Sequence, residues 1–183
     1  MRKLKLFFAC LLMAVLSIGQ VWAATTLVPV AAGDLENGDY LITATKSNSE
    51  YVLKASAFAK GSSTIEKLSS TSYSQVWSFA KQSNGSWMVT LSTGEGLGLT
   101  ATNDGVICAT DKGTAFTINA TAENETTVYM VANDGSDNRY LTLYQTSEFR
   151  CYKTSTNANA DQVRAIQLYK LEESGSGSGK PTV

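Results

Sequence analysis

One apolar pattern is written three times in this chain. Tyr40-Leu41-Ile42, Trp87-Met88-Val89 and Tyr129-Met130-Val131 each run aromatic, then Leu or Met, then β-branched, at spacings of 47 and 42 residues. A leucine in a second apolar run follows each aromatic after 12 to 14 residues: Leu53, Leu99 and Leu143. A third run comes next, Thr64-Ile65, then Val106-Ile107-Cys108-Ala109, then Phe149-Arg150-Cys151-Tyr152. A fourth closes each copy with Trp77-Ser78-Phe79, Phe116-Thr117-Ile118 and Ile166-Gln167-Leu168. Self-similarity of this kind has to be read before any single element, because it makes the fold a sum of copies.

The runs are short, alternate with period two and are rich in β-branched and aromatic residues, which predicts strands. Between them stand Asn37-Gly38, Asn84-Gly85, Asn103-Asp104-Gly105, Lys112-Gly113 and Asn133-Asp134-Gly135. Asn and Gly tolerate the positive φ of tight hairpins at little steric cost. Pro29 and Pro181 are the only prolines, so nothing interrupts the strands. Three copies of four strands predict an all-β fold of pseudo-threefold symmetry, a β-trefoil: one copy cannot bury its apolar face alone, and three arranged as a barrel remove the sheet edges. A β-sandwich is the alternative. A helix competes over 158–173, where Val163, Ile166, Tyr169 and Lys170 trace a helical stripe. The third copy needs its fourth strand there, so a strand is predicted.

The N-terminus has its own logic. Arg2, Lys3 and Lys5 precede an apolar run from Leu6 to Leu16 and a small-residue signal, Val21-Trp22-Ala23. This order predicts a secretory signal peptide over residues 1–23, cleaved before Ala24. The apolar run is shorter than the roughly 18 residues a membrane span needs, so no span is expected after cleavage. Residues 24–173 then form one domain of about 150 residues, long enough to bury a core without staples. Ser174 to Gly179 alternates Ser and Gly, so residues 174–183 are expected to be a linker or tail. The protein is expected to be secreted, extracellular or periplasmic, and its signal has a bacterial look.

Composition excludes several chemistries. The 16 acidic residues outnumber the 15 basic ones, three of which lie in the signal, and no basic cluster occurs. Nucleic acid, which requires concentrated Lys and Arg, is therefore not an expected partner. There is no histidine, which removes the Ser-His and Cys-His nucleophile pairs and the commonest metal ligand. Cys108 and Cys151 are the cysteines beyond the signal; two thiols do not make a tetrahedral zinc site, although they suffice for one disulfide in an oxidising compartment. Asp34, Glu36, Asp39, Glu172 and Glu173 sit at solvated element ends and form no catalytic pair. No cofactor, metal or catalytic residue is expected. Asn133 to Asn138 crowds oxygen ligands into one loop but lacks the EF-hand spacing, and a hairpin is expected. Asn84, Asn119 and Asn124 head Asn-x-Ser/Thr triplets, acceptors only in a eukaryotic secretory path.

Gln75-Val76-Trp77-Ser78-Phe79 resembles the Q-x-W motif that ends each repeat of ricin-type β-trefoil lectins, and Asp39-Tyr40-Leu41-Ile42 is similar to their opening strand. The resemblance covers residues 25–173 in outline, its specific motif once. It implies a trefoil fold, carbohydrate binding at shallow pockets and a core role for Trp77. The family's sugar pockets use an aspartate just after the leucine of the second strand, and those places hold Lys54, Thr100 and Tyr144. The second copy has Ala115-Phe116 in place of the motif, and Gln162-Val163-Arg164 fits in the third only with a register slip.

Sugar recognition stacks an aromatic on the apolar face of a ring while Asp, Asn or Gln bond the hydroxyls. In the third copy Tyr144, Gln145, Tyr152, Asn157 and Asn159 lie on or beside loops and offer both kinds of group. In the second copy Asn103 and Asp104 are candidates, with a competing role in the turn before Gly105. Trp87, matched to Tyr40 and Tyr129, is expected in the barrel. Two functions follow: a non-catalytic module binding a glycan or polysaccharide, joined through the Ser-Gly linker to a glycan-acting protein; or a protein-binding trefoil such as a protease inhibitor or adhesin, contacting its partner through the polar stretch from Ala57 to Tyr73. An enzyme using two carboxylates stands behind both.

Overall fold

The computed structural model describes residues 25–100, 104–121, 126–153 and 162–173. The expected signal and the Ser-Gly tail lie outside the described residues. Residues 27–171 form one compact unit, and the terminal stretches are grouped as another, in which the Thr26 hydroxyl donates to the Glu172 carbonyl at 3.3 Å.

The described chain is all-β. Its strands are β1 (Thr25–Pro29), β2 (Gly38–Lys46), β3 (Ser49–Leu53), β4 (Ile65–Lys67), β5 (Trp77–Lys81), β6 (Trp87–Thr90), β7 (Gly96–Leu99), β8 (Val106–Ala109), β9 (Phe116–Ala120), β10 (Thr127–Asn133), β11 (Asn138–Tyr144), β12 (Glu148–Lys153), β13 (Gln162–Val163) and β14 (Ile166–Glu173). Six of them, β2, β5, β6, β9, β10 and β14, pair in that order, and β14 pairs back onto β2 through Leu168 opposite Ile42. The result is a closed six-stranded barrel, and the two stacked sheets of a sandwich do not form. Three hairpins hang from it, β3–β4 on β2, β7–β8 on β6 and β11–β12 on β10. Residues 166–173 are a strand rather than a helix. Ile166 and Leu168 face inward while Gln167 and Tyr169 face outward, a period of two, and β2 and β10 offer open ladders on either side.

Inside the barrel the period-two alternation decides which side chains meet. Tyr40 and Ile42 from β2, Trp77 and Phe79 from β5, Trp87 and Val89 from β6, Phe116 from β9, Val128 and Met130 from β10, and Ile166 and Leu168 from β14 share one core. Each such side chain contributes about 1.5–3 kcal/mol when fully withdrawn from water. Tyr40 lies opposite Trp77, Trp87 opposite Phe116 and Val128 opposite Ile166. The third copy is thus offset by one residue from the sequence alignment. Val128, not Tyr129, matches Tyr40 and Trp87, because a one-residue shift in a strand sends a side chain to the other face. Tyr129 is half-buried outside the barrel and packs edge-on against Tyr140, ring centroids 5.6 Å apart.

The Q-x-W segment clamps its own copy. Trp77 is fully buried and its indole N–H donates to the Leu53 carbonyl at 3.1 Å, while the Gln75 side-chain oxygen accepts from the Ala55 N–H at 2.9 Å. In the second copy the Thr114 hydroxyl accepts from the Leu99 N–H at 3.1 Å, a shorter version of the same clamp. In the third, Gln162 and Val163 do not repeat the motif. They form β13, paired by backbone with Tyr144 and Leu143.

The hairpins are tied to one another in a ring of contacts, one per pair of copies. Phe58 and Cys108 exchange backbone hydrogen bonds of 2.9 and 3.0 Å, the Cys151 N–H donates to the Asp104 carbonyl at 2.8 Å, and the buried Ser63 hydroxyl both donates to the Phe149 carbonyl and accepts from its N–H. Cys108 and Cys151 occupy matching places, opposite Leu97 and Leu141. Both are buried free thiols. Burial pushes Cys108 up to about 11, with the Glu95 charge adding to it, and Cys151 up to about 12. The second hairpin runs so close to the next segment that a Cβ on Gly98 would collide with the Lys112 carbonyl oxygen.

The stretch from Ala57 to Tyr73 is not one open loop. It contains β4 and runs into a 3-10 turn, Ser70–Ser74, where Ser69 and Ser72 cap each other. In the Asn133-to-Asn138 loop the Asp134 carboxylate accepts from the Ser136 and Asp137 N–H groups at 3.0 and 2.8 Å and pairs with the buried Arg139. Those bonds hold its pKa well below the usual carboxylate range and commit its oxygens to the turn.

Candidate functional site: a cleft where the three hairpins converge

Two of the expected ligand residues, Asn103 and Asn157, lie outside the described residues, as does Asn159. The other four, Asp104, Tyr144, Gln145 and Tyr152, can be placed. Tyr144 ends β11 and Tyr152 lies on β12, and their rings stand 6.0 Å apart, tilted by 42°. Gln145 sits in the exposed turn between those strands with φ +53°, so its backbone serves the reversal and its side chain does not line the cleft. Asp104 enters from the second copy, carried against β12 by the bond from the Cys151 N–H.

Arg150 organises these groups. Glu148, Arg150 and Tyr152 alternate along one strand and therefore project from one face. The Arg150 guanidinium lies over the Tyr144 ring, 4.0 Å from its centroid, donates through Nη1 to the Tyr152 hydroxyl at 3.2 Å and through Nε to Glu148 Oε1 at 2.9 Å, and forms an ion pair with Glu148 through Nη2. Burial alone would lower the Arg150 pKa, but the bonds to Glu148 and Tyr152 carry it upward. Burial raises the Tyr152 hydroxyl pKa, opposed by its bond to Arg150 and aided by the nearby Tyr144 and Asp104. One face of Tyr144 is therefore a seat for Arg150. The ring acts as a support for a planar fork of donors rather than as an open stacking platform on that side.

Beside this network lies a cleft of about 240 Å³. Lys60 and Gly61 enter it from the first copy, Asp104, Gly105 and Val106 from the second, Phe149 and Arg150 from the third. Gly105 leaves room for that meeting: a Cβ there would collide with Thr100 Oγ1 and stand 2.8 Å from Cγ of Lys60, so both side chains would have to shift. The lining combines a guanidinium and an ammonium, a carboxylate, and the buried wall of Phe149 and Val106. Such a mixture binds small polar molecules with apolar faces by hydrogen bonding at fixed points. Lys60 had no local signal, because only the assembled hairpins bring it next to residues 104–106 and 149–150. Arg150 did have one, in the Glu-x-Arg-x-Tyr alternation.

Among solved structures, the chain is similar to SeviL bound to an asialo-GM1 saccharide, at 14% sequence identity and TM-score 0.49, covering 76% of this chain and 100% of that one. It is also similar to the Haemophilus ducreyi cytolethal distending toxin, at 13% identity and TM-score 0.49, covering 77% of this chain and 86% of that one. No protein-family model and no curated protein matches the chain.

Proposed function

We propose that residues 24–173 form a β-trefoil and act as a secreted, non-catalytic carbohydrate-binding module, exported by means of residues 1–23. The six-stranded barrel with one hairpin per copy supports the fold assignment. The binding reading rests on one observation: Asp104 and Arg150, from different copies, meet at a single cleft, with Arg150 held from behind by Tyr144, Tyr152 and Glu148. A sugar ring offers hydroxyls that both donate and accept, over an apolar face. The cleft matches it with a carboxylate acceptor, a guanidinium donor fork and an apolar wall. Arg150 is already held by Glu148 and Tyr144, so little side-chain freedom is lost when a ligand docks.

A glycan array probed with the chain starting at Ala24 tests this reading. Binding that Arg150→Ala and Asp104→Ala each abolish supports it, whereas silence across the array removes the carbohydrate reading and leaves a protein ligand as the alternative. Export is tested separately by the N-terminal sequence of protein recovered outside the cytoplasm, expected to begin at Ala24.

A further inference from the structure

The outer wall of the barrel carries a second depression, lined by other residues than the cleft and of different chemistry. It has a volume of about 340 Å³, and no Asp, Glu, Lys or Arg lines it. Asn84 reaches it from the turn between β5 and β6, Thr117 and Asn119 from the outward face of β9, and Asn133, Asn138 and Tyr140 from β10 and β11. Alternation explains the clustering: residues two apart on adjacent strands share the outer face, and β9 and β10 pair directly with Thr117 opposite Val131.

The amides are held in fixed orientations. The Gly135 N–H donates to Asn133 Oδ1 at 2.7 Å, which turns the Asn133 NH₂ toward Asn138 Oδ1 at 3.0 Å and so presents the Asn138 NH₂ as a donor. Asn84 Oδ1 likewise accepts from the Ser86 N–H and hydroxyl at 3.0 and 2.6 Å, which presents its NH₂. Tyr140 is fixed by Tyr129 against its edge and by the Arg164 guanidinium 5.7 Å from its centroid.

We propose that this amide-lined depression is a second ligand site, selective for neutral saccharides. Pre-oriented NH₂ donors, the Thr117 hydroxyl and the Asn119 amide suit a ligand whose groups are all hydroxyls or acetamides. A carboxylate or sulfate entering the depression would be desolvated with no cation in the lining to offset the cost. The depression is populated by different residues from the cleft, so it stands whether or not the cleft binds sugar.

The test is a titration of ¹⁵N-labelled chain, starting at Ala24, with galactose, glucose and N-acetylglucosamine, and in parallel with galacturonic acid and N-acetylneuraminic acid. Neutral sugars are expected to shift the backbone and side-chain amide signals of residues 117–119 and 133–140, and the acids are not. Asn119→Asp and Asn138→Asp keep the side-chain shape while removing an NH₂ donor. Each is expected to weaken neutral-sugar binding roughly three- to tenfold, the worth of one or two hydrogen bonds, with an unchanged melting temperature. Shifts confined to residues 104–106 and 148–152 would overturn this site while leaving the cleft reading intact. Acids binding the depression as well as neutral sugars, or no shift with any sugar, would also overturn it.

Discussion

The first and third copies close the same barrel by different means. In the first, Trp77 fills the core and two side-chain bonds hold it: its own to the Leu53 carbonyl, and that of Gln75 to the Ala55 N–H. In the third, Ile166 takes the Trp77 place, and the short strand Gln162–Val163 grips β11 through backbone pairing instead. The barrel asks only for an inward apolar residue at that register. In both copies the hairpin gives only backbone to this grip, so its side chains stay available, and in the third copy Tyr144, Arg150 and Tyr152 engage one another.

The largest effect expected from this comparison is on stability. Trp77→Ala is expected to cost about 3–5 kcal/mol, from a large cavity and an orphaned Leu53 carbonyl, and Ile166→Ala about 2–4 kcal/mol, measured by urea unfolding. Equal losses would mean that the clamp adds nothing. Next, Gln75→Ala should cost about 1–3 kcal/mol by leaving the Ala55 N–H unpaired, against about 0.5 kcal/mol or less for Gln162→Ala, whose grip is backbone. A Gln162→Ala loss as large as that of Gln75→Ala would break the distinction.

The second and third copies share buried cysteines where the first has Lys67, and this gives a pH prediction. The folded state keeps the Cys108 and Cys151 thiols protonated up to about 11 and about 12, above the ordinary value of 9, and burial next to Glu50 likewise raises Tyr169 to about 12. The unfolded chain therefore releases these protons first. Unfolding free energy should be flat with respect to these groups below about pH 9 and fall as pH rises from there toward 12. Native chain should resist iodoacetamide at neutral pH, and mass spectrometry after denaturation should find both cysteines alkylated. The smallest stability effect is expected for Arg150→Ala, about 1 kcal/mol or less, because its pair with Glu148 is partly solvated. A large loss would make Arg150 structural and weaken its place in the cleft.

Much of the architecture was legible because it rests on period-two alternation and on repetition, both local properties. The four runs per copy became four strands, and Trp77, Phe116 and Ile166 took equivalent places. Val128 rather than Tyr129 takes the inward place of the third copy, because the barrel selects a residue by the face it occupies and not by its aromatic character. The sites were less legible. Asp104 lines the cleft while Tyr144 and Tyr152 stand behind Arg150, and Lys60 reaches the cleft only through contacts between hairpins far apart in the chain. Asn84 and Asn119 head Asn-x-Ser/Thr triplets, and nothing local says that β9, β10 and β11 bring Asn119 and Asn138 to the rim of one depression. Side-chain commitments such as Arg150 lying on Tyr144 have no sequence signature.

The seam between β14 and β2 sets the timetable of assembly. Thr43 and Gln167 meet across it although 124 positions separate them, so a nascent chain that has not yet released β14 holds β2 and β10 with bare ladders. Those edges are sticky toward other chains until the final strand arrives. Barrel closure therefore waits for β14 to emerge, and a truncation just before Ile166 should yield aggregates rather than a smaller soluble fragment.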